Sequence, residues 1–286
     1  MNEKDFKKGS VEAFDSNWTD RKETKYFHFN KNYPETQIQL AFSENFKLFN
    51  EILDKPDFTG RVLEVGCGRG SVSAYYANNG WDCTLLDISK EAIDRAKEAF
   101  NANGLDATFD VGDALNLPYE DATFDLTFSI GLLEHFEDST DVIAEQKRVL
   151  KNGGLFIAYV VPDFEDNIQY QYEWINELLR LVQSPQDNSE KPKDEVFRSD
   201  NLSSHYMEIM NRLDLNKRDV TGCFPLPMVS HSPEFPFSLL NPKAEKHLVK
   251  TFKKMLSDRA EEFNMINPWR CDVDFGQALV ISGFKK

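Results

Sequence analysis

Val62-Leu-Glu-Val-Gly-Cys-Gly-Arg-Gly70 sets an apolar, strand-like run directly against three glycines at alternate positions. A strand over Arg61–Val65 ends where the glycines begin, and helical sequence follows as far as Gly80, so residues 66–70 form a strand-to-helix turn. Glycine in such a turn allows positive φ and lets a ligand lie against bare backbone. In open α/β sheets, ligands bind beyond the carboxyl ends of the strands, where the strand order reverses. Taken alone, the turn announces either a ligand at a strand end or no more than a tight turn.

Outward from it, short apolar runs alternate with amphipathic stretches, the pattern of βαβ units and a parallel sheet. Further strands are expected at Asp82–Leu86, Ala107–Val111, Phe124–Ser129 and Leu155–Val161. Ser89 can cap a helix over Lys90–Asn103 that buries Ile93, Ala96 and Phe100 and stops at Gly104. A helix from Asp141 ends before Asn152-Gly153-Gly154, read as a turn. Upstream, Gln37–Leu53 has helical apolar spacing; downstream come helices near 201–213 and 242–262 and strands at Asp219–Phe224 and Ala278–Phe284. The fold class is α/β: a doubly wound, mostly parallel seven-stranded sheet with its last strand antiparallel and helices on both faces. An N-terminal helical extension or lid (1–57) precedes the core (58–163 and 214–286). A helical and looped cap, 164–240, is inserted after the fifth strand and overlaps the core boundary.

Composition narrows the function classes. The 33 Lys and Arg against 48 Asp and Glu give a net charge of −15, which repels nucleic-acid backbones and anionic lipid surfaces. No apolar run reaches bilayer length and none of signal-peptide length follows the first charges, so a cytoplasmic protein is expected. Cys67, Cys83, Cys223 and Cys271 are scattered, as are the five histidines, and no metal site is expected.

Three strand ends add chemistry to the glycine turn. Asp87, 17 residues past Gly70, closes the second strand where a carboxylate can accept both hydroxyl protons of a ribose. Gly112-Asp113-Ala114 closes the third, where an acidic side chain can accept an adenine amine. The fourth runs from Phe124 into Ser129-Ile-Gly-Leu-Leu-Glu-His-Phe136. A dinucleotide fingerprint would need GxGxxG spacing, whereas here Gly66-x-Gly68-x-Gly70 is followed by Ser71.

Together, Glu64–Gly70, Asp87, Gly112-Asp113-Ala114, Phe124-Asp125, Leu133-Glu134-His135 and Val149–Gly154 resemble the class I methyltransferases. The likeness spans about residues 60–162 and is strongest to the branch with quinone-type small-molecule enzymes. It implies S-adenosylmethionine as cofactor. Gly66 and Gly68 would contact its methionine part and ribose, and Glu64 would lie near its ammonium. Asp87 would hold the ribose hydroxyls, Ile88 would pack on the adenine, Asp113 would read the adenine amine, and Ala114 would offer its N–H. Ser129 would stand near the amino group and sulfonium.

In-line methyl transfer requires positioning and exclusion of water, with a base only for an acceptor that arrives protonated. His135 is the candidate catalytic residue; the alternative is that Glu134 and His135 only open the next helix. Asp163, His205 with Tyr206, and His231 are further candidates in the attachments. The expected partner is a small-molecule methyl acceptor, aromatic or cationic to suit the aromatic cap, through an O or N atom. A protein methyltransferase and a non-catalytic S-adenosylmethionine-binding scaffold are the alternatives. Oligomeric state is not encoded in these patterns.

Overall fold

The computed structural model describes residues 29–162, 174, 175, 178, 197–226 and 241–286. Eight strands, β1 (Arg61–Val65), β2 (Asp82–Asp87), β3 (Thr108–Val111), β4 (Phe124–Ile130), β5 (Leu150–Val160), β6 (Asn216–Cys223), β7 (Arg270–Cys271) and β8 (Leu279–Phe284), form one sheet. Its order is β3-β2-β1-β4-β5-β8-β6-β7. Strands β1 to β5 pair in parallel, and β8 lies antiparallel between β5 and β6. The order reverses between β1 and β4, which puts the switch point beside the glycine turn.

Helices α1 (Gln37–Leu53), α2 (Ser71–Asn78), α3 (Lys90–Asn103), α4 (Thr140–Val149), α5 (Ser203–Arg212) and α6 (Pro242–Glu262) cover the sheet. One core joins Val62, Leu126, Phe128, Ile157 and Val280 of the sheet to α1, α2, α3 and α6. The other joins Leu63, Val65, Phe156, Ala158 and Ile281 to α4 and α5. Alternate strand residues thus feed opposite cores, as the two-residue period of a strand requires.

Local chemistry sets the helix limits. Thr36 Oγ1 accepts the Gln39 N–H at 3.2 Å while Gln39 Oε1 accepts the Thr36 N–H, a capping box that starts α1. Ser89 Oγ accepts the Ala92 N–H at 3.2 Å, and α3 ends at Gly104 with φ +64°.

Two parts of the sheet differ from the sequence expectation. The seven expected strands gain an eighth, the two-residue β7, paired with Gly222 and Cys223 at the edge. Strand β5 begins at Leu150 rather than Leu155, because Asn152-Gly153-Gly154 bulges inside the strand. There Gly153, at φ +74°, donates its N–H to Lys285 O at 2.9 Å, so the C-terminal residues hold the turn in the ladder.

Helix α1 is built into the first core. Phe49 meets Phe128 edge-on at 5.7 Å, the Tyr75 hydroxyl donates to Gln39 O at 3.3 Å, and Trp269 Nε1–H donates to Asn45 Oδ1 at 2.7 Å. Residues 1–28 of the expected lid, and the expected cap outside 174, 175, 178 and 197–226, lie outside the described residues. No helix among the described residues is long and apolar enough to cross a membrane.

Replacing Asn45 with Ala strands the fully buried indole N–H of Trp269. The expected cost is about 1–3 kcal/mol, read as a lower urea midpoint with an unchanged m-value.

Candidate functional site

Gly66, Gly68 and Gly70 have φ of +68°, +51° and +65°. A side chain would also be crowded at two of them. A Cβ on Gly70 would stand 2.2 Å from Leu85 Cδ2, and one on Gly66 would stand 3.0 Å from Leu132 Cδ1. The turn is moored to the next strand: Gly66 N–H and Cys67 N–H both donate to Leu86 O, at 2.8 and 3.0 Å.

Asp87 follows that carbonyl. Its Oδ2 accepts the Gly68 N–H at 2.9 Å and its Oδ1 accepts the Ser89 N–H at 2.9 Å. The carboxyl group is therefore fixed between the glycine turn and the N-cap of α3 by two backbone N–H donors. Past it, Ile88 is 38% exposed and Val111 is 55% exposed. Two apolar side chains are thus exposed at neighbouring strand ends. Asp113 Oδ1 accepts the Leu115 N–H at 2.9 Å in a turn that brings its carboxyl to the end of β3, with Ala114 buried beside it.

Glu64 is buried on β1. Desolvation pushes its carboxyl up to about 8; Ser73 opposes this, and the charge of Asp87 adds to it. Its Oε2 has no hydrogen-bond partner among the described residues. A buried acid with a free oxygen at the edge of the glycine turn suits a ligand ammonium, which would return it to the charged form.

Ser129 stands apart from this group. In the β4 register Phe128 pairs with Glu64, so Ser129 points to the opposite face, next to Ala158, with its hydroxyl fully buried and unpartnered. Leu133–His135 form one 3-10 turn after β4. Because a carbonyl can only accept, His135 Nδ1–H donates to Phe197 O, at 2.7 Å. Burial lowers the imidazole pKa, Arg198 lowers it further, and the carbonyls of Phe197 and Gly131 oppose. Burial thus favours the neutral ring, and the bond to Phe197 O places a proton on Nδ1.

The structure thus brings Glu64, Gly66, Gly68, Asp87, Ile88, Asp113 and Ala114 to one set of strand ends, with His135 on the adjoining turn. Tyr206 is buried in α5 and His205 stacks edge-on against it at 5.4 Å, while Asp163 and His231 lie outside the described residues. Arg69, between the last two glycines of the turn, is half-buried. Sequence reasoning passed over Val111, legible as an apolar residue directly before Gly112-Asp113. It also missed Phe197 and Ser199, whose contacts with the Glu134–His135 turn span more than 60 residues and leave no local signal. Among the described residues no three His, Cys, Asp or Glu side chains cluster as metal ligands, and all four cysteines are free.

A model of the methyltransferase domain matches residues 63–158, the strands and turns just described. Ajmaline N-methyltransferase of Rauvolfia serpentina is 39% identical over 142 residues, 48% of this chain and 49% of that one. A 24-methylenesterol C-methyltransferase of Oryza sativa is 30% identical over 164 residues, 56% of this chain and 41% of that one. The chain therefore spans less than half the length of these curated relatives. A solved S-adenosylmethionine-dependent methyltransferase of Thermotoga maritima, described as a possible histamine N-methyltransferase, superposes with a TM-score of 0.55 at 17% identity, over 96% of this chain and 99% of that one. Residues 63–158 thus match a methyltransferase domain, and the fold around them is the Rossmann-like one of that solved methyltransferase.

Glu64 gives the folded protein a pH signature. Its folded-state pKa near 8 lies above the usual 4.5, so the folded state holds the extra proton between those values. Stability is then fullest below about pH 4.5 and falls as pH rises towards 8. Buried Glu134, raised to about 7, acts in the same direction. Urea unfolding from pH 5 to 8 should show this decline, and Glu64→Gln should flatten it; identical slopes would contradict the assignment.

Proposed function

We propose that the protein transfers a methyl group from S-adenosylmethionine to an O or N atom of a small-molecule acceptor by in-line displacement, as a cytoplasmic enzyme. The observation that carries this reading is the Asp87 carboxylate, held by the Gly68 and Ser89 N–H groups against three left-handed glycines, within the matched methyltransferase domain. Asp87 would hold the ribose hydroxyls. Gly66 and Gly68 would lie under the ribose and methionine part, with Ile88 against the adenine. Asp113 and Ala114 would read the adenine edge. Glu64 would take the ammonium, and Ser129 would act only from the far side of β4.

The bound donor supplies an electrophilic methyl on a sulfonium. His135 would take the proton of an acceptor that arrives protonated, since burial keeps its ring neutral and Phe197 fixes the tautomer. Residues 1–57 and 164–240 would form the lid and cap on the acceptor side, their aromatic content suiting a planar or cationic acceptor. The small-molecule reading is supported by the compounds named for the relatives, ajmaline and a 24-methylenesterol.

Calorimetry with S-adenosylmethionine tests the donor half. Binding is expected, and Asp87→Ala should weaken it about 10- to 100-fold through loss of charge-assisted hydrogen bonds of about 1.5–3 kcal/mol. A protein that binds no donor, or an Asp87→Ala variant with unchanged affinity, would overturn the reading. A screen with methyl-labelled donor then identifies the acceptor. With it, His135→Ala should lower kcat about 100-fold at unchanged donor affinity; normal turnover would remove His135 as the base.

A further inference from the structure

Glu134 lies in the turn after β4, and three parts of the chain close on it. Its backbone carbonyl accepts the Ser199 N–H at 2.7 Å, and its Oε1 accepts the N–H of Val161, just past β5, at 3.3 Å. The carboxyl lies beside Gly131, at φ +66°: a Cβ there would meet Oε1 at 3.5 Å, in ordinary contact. Two residues before Glu134, Leu132 rests on Gly66, so this turn touches the glycine turn itself. The residue is 2% exposed, and its Oε2 is buried without a hydrogen-bond partner among the described residues. Buried carboxyl oxygens are rarely left so, because an unmet acceptor in low dielectric is costly.

This inference rests on the methyl-transfer reading and narrows its substrate. We propose that Glu134 Oε2 is the docking point for the reacting nitrogen of the acceptor, and that the acceptor is an amine bound as its ammonium ion. An ammonium offers both an N–H donor and the charge that a buried carboxylate lacks; a hydroxyl offers only the donor. The site lies between the ends of β4 and β5, next to the switch point, and one residue from His135. The ammonium docked on Glu134 would thus present its N–H within the turn that carries the proposed base. Proton transfer to His135 then frees the nitrogen lone pair. That pair forms the N–C bond to the methyl carbon as the C–S bond breaks and its electrons pass to sulfur. Charge balances, with a sulfonium and an ammonium replaced by an imidazolium and an N-methylammonium.

Burial raises the Glu134 pKa to about 7, with Arg198 opposing. Tyr159 of β5 and Tyr206 of α5 feel its charge, and His135 adjoins it on the same turn. Amine docking should therefore tighten as pH rises through about 7, where Glu134 ionises.

The test uses the full chain with methyl-labelled S-adenosylmethionine, offered a panel of primary to tertiary amines and a matched panel of alcohols and phenols. Label should enter the amine panel. For the best amine, Glu134→Gln should raise KM at least 10-fold and remove its dependence on pH around 7, while changing kcat less than about threefold and leaving the donor Kd unchanged. Glu134→Asp should restore part of the KM loss. Label confined to hydroxyl acceptors, or entering neither panel while the donor binds, would overturn the amine assignment. So would a Glu134→Gln enzyme with unchanged KM, or one that also loses the donor, which would make Glu134 a structural group. Failure of the wild-type protein to bind donor would instead remove the methyl-transfer reading beneath it.

Discussion

Everything at the site depends on how the glycine turn is tied to the end of β2. Leu86 O takes two N–H groups from residues 66 and 67, and the next residue, Asp87, returns both carboxylate oxygens to backbone N–H groups at 68 and 89. These bonds fix a loop, a strand end and a helix start in one arrangement. Because the glycines have positive φ and Gly70 packs against Leu85, no side chain occupies the cradle. The open backbone, the oriented carboxylate and the exposed Ile88 and Val111 are then adjacent without further adjustment. A site organised before its ligand arrives loses less conformational freedom on binding.

The turn after β4 is organised by a second set of bonds. The Leu133–His135 turn is held by Ser199 and Phe197, which return from far along the chain, and by Val161 at the end of β5. Leu132 couples this turn to Gly66. The two turns therefore share a van der Waals contact at the switch point between β1 and β4, the relation that the proposed in-line transfer would use.

Much of this was legible in the sequence, where local chemistry decides. Ser89 and Gly104 mark the ends of α3, and the apolar runs of β1, β2 and β4 are followed by glycine or acidic residues at their carboxyl ends. What escaped was decided over distance. Asn152-Gly153-Gly154 reads locally as a turn, but Lys285 draws it into the sheet. Helix α1 has the expected apolar stripe, yet it also buries Gln37, Gln39, Ser43, Glu44 and Asn45, because α2, α6 and Trp269 close on it from several sides. Strand alternation also faces Ser129, proposed to stand near the donor's amino group, towards the other core from Glu64, a consequence of register that composition does not display.

The central claim is that the methyl donor lies across the glycine turn at the ends of β1, β2 and β3. Mapping backbone amide shifts by NMR on adding S-adenosylhomocysteine tests it most directly. The account predicts the largest changes at residues 64–70, 87–88 and 112–114, with smaller ones at 132–135. Shifts concentrated elsewhere, such as in the open groove where Lys47, Leu256 and Ile266 meet, or the absence of any shift at Gly66, Gly68 and Asp87, would contradict it.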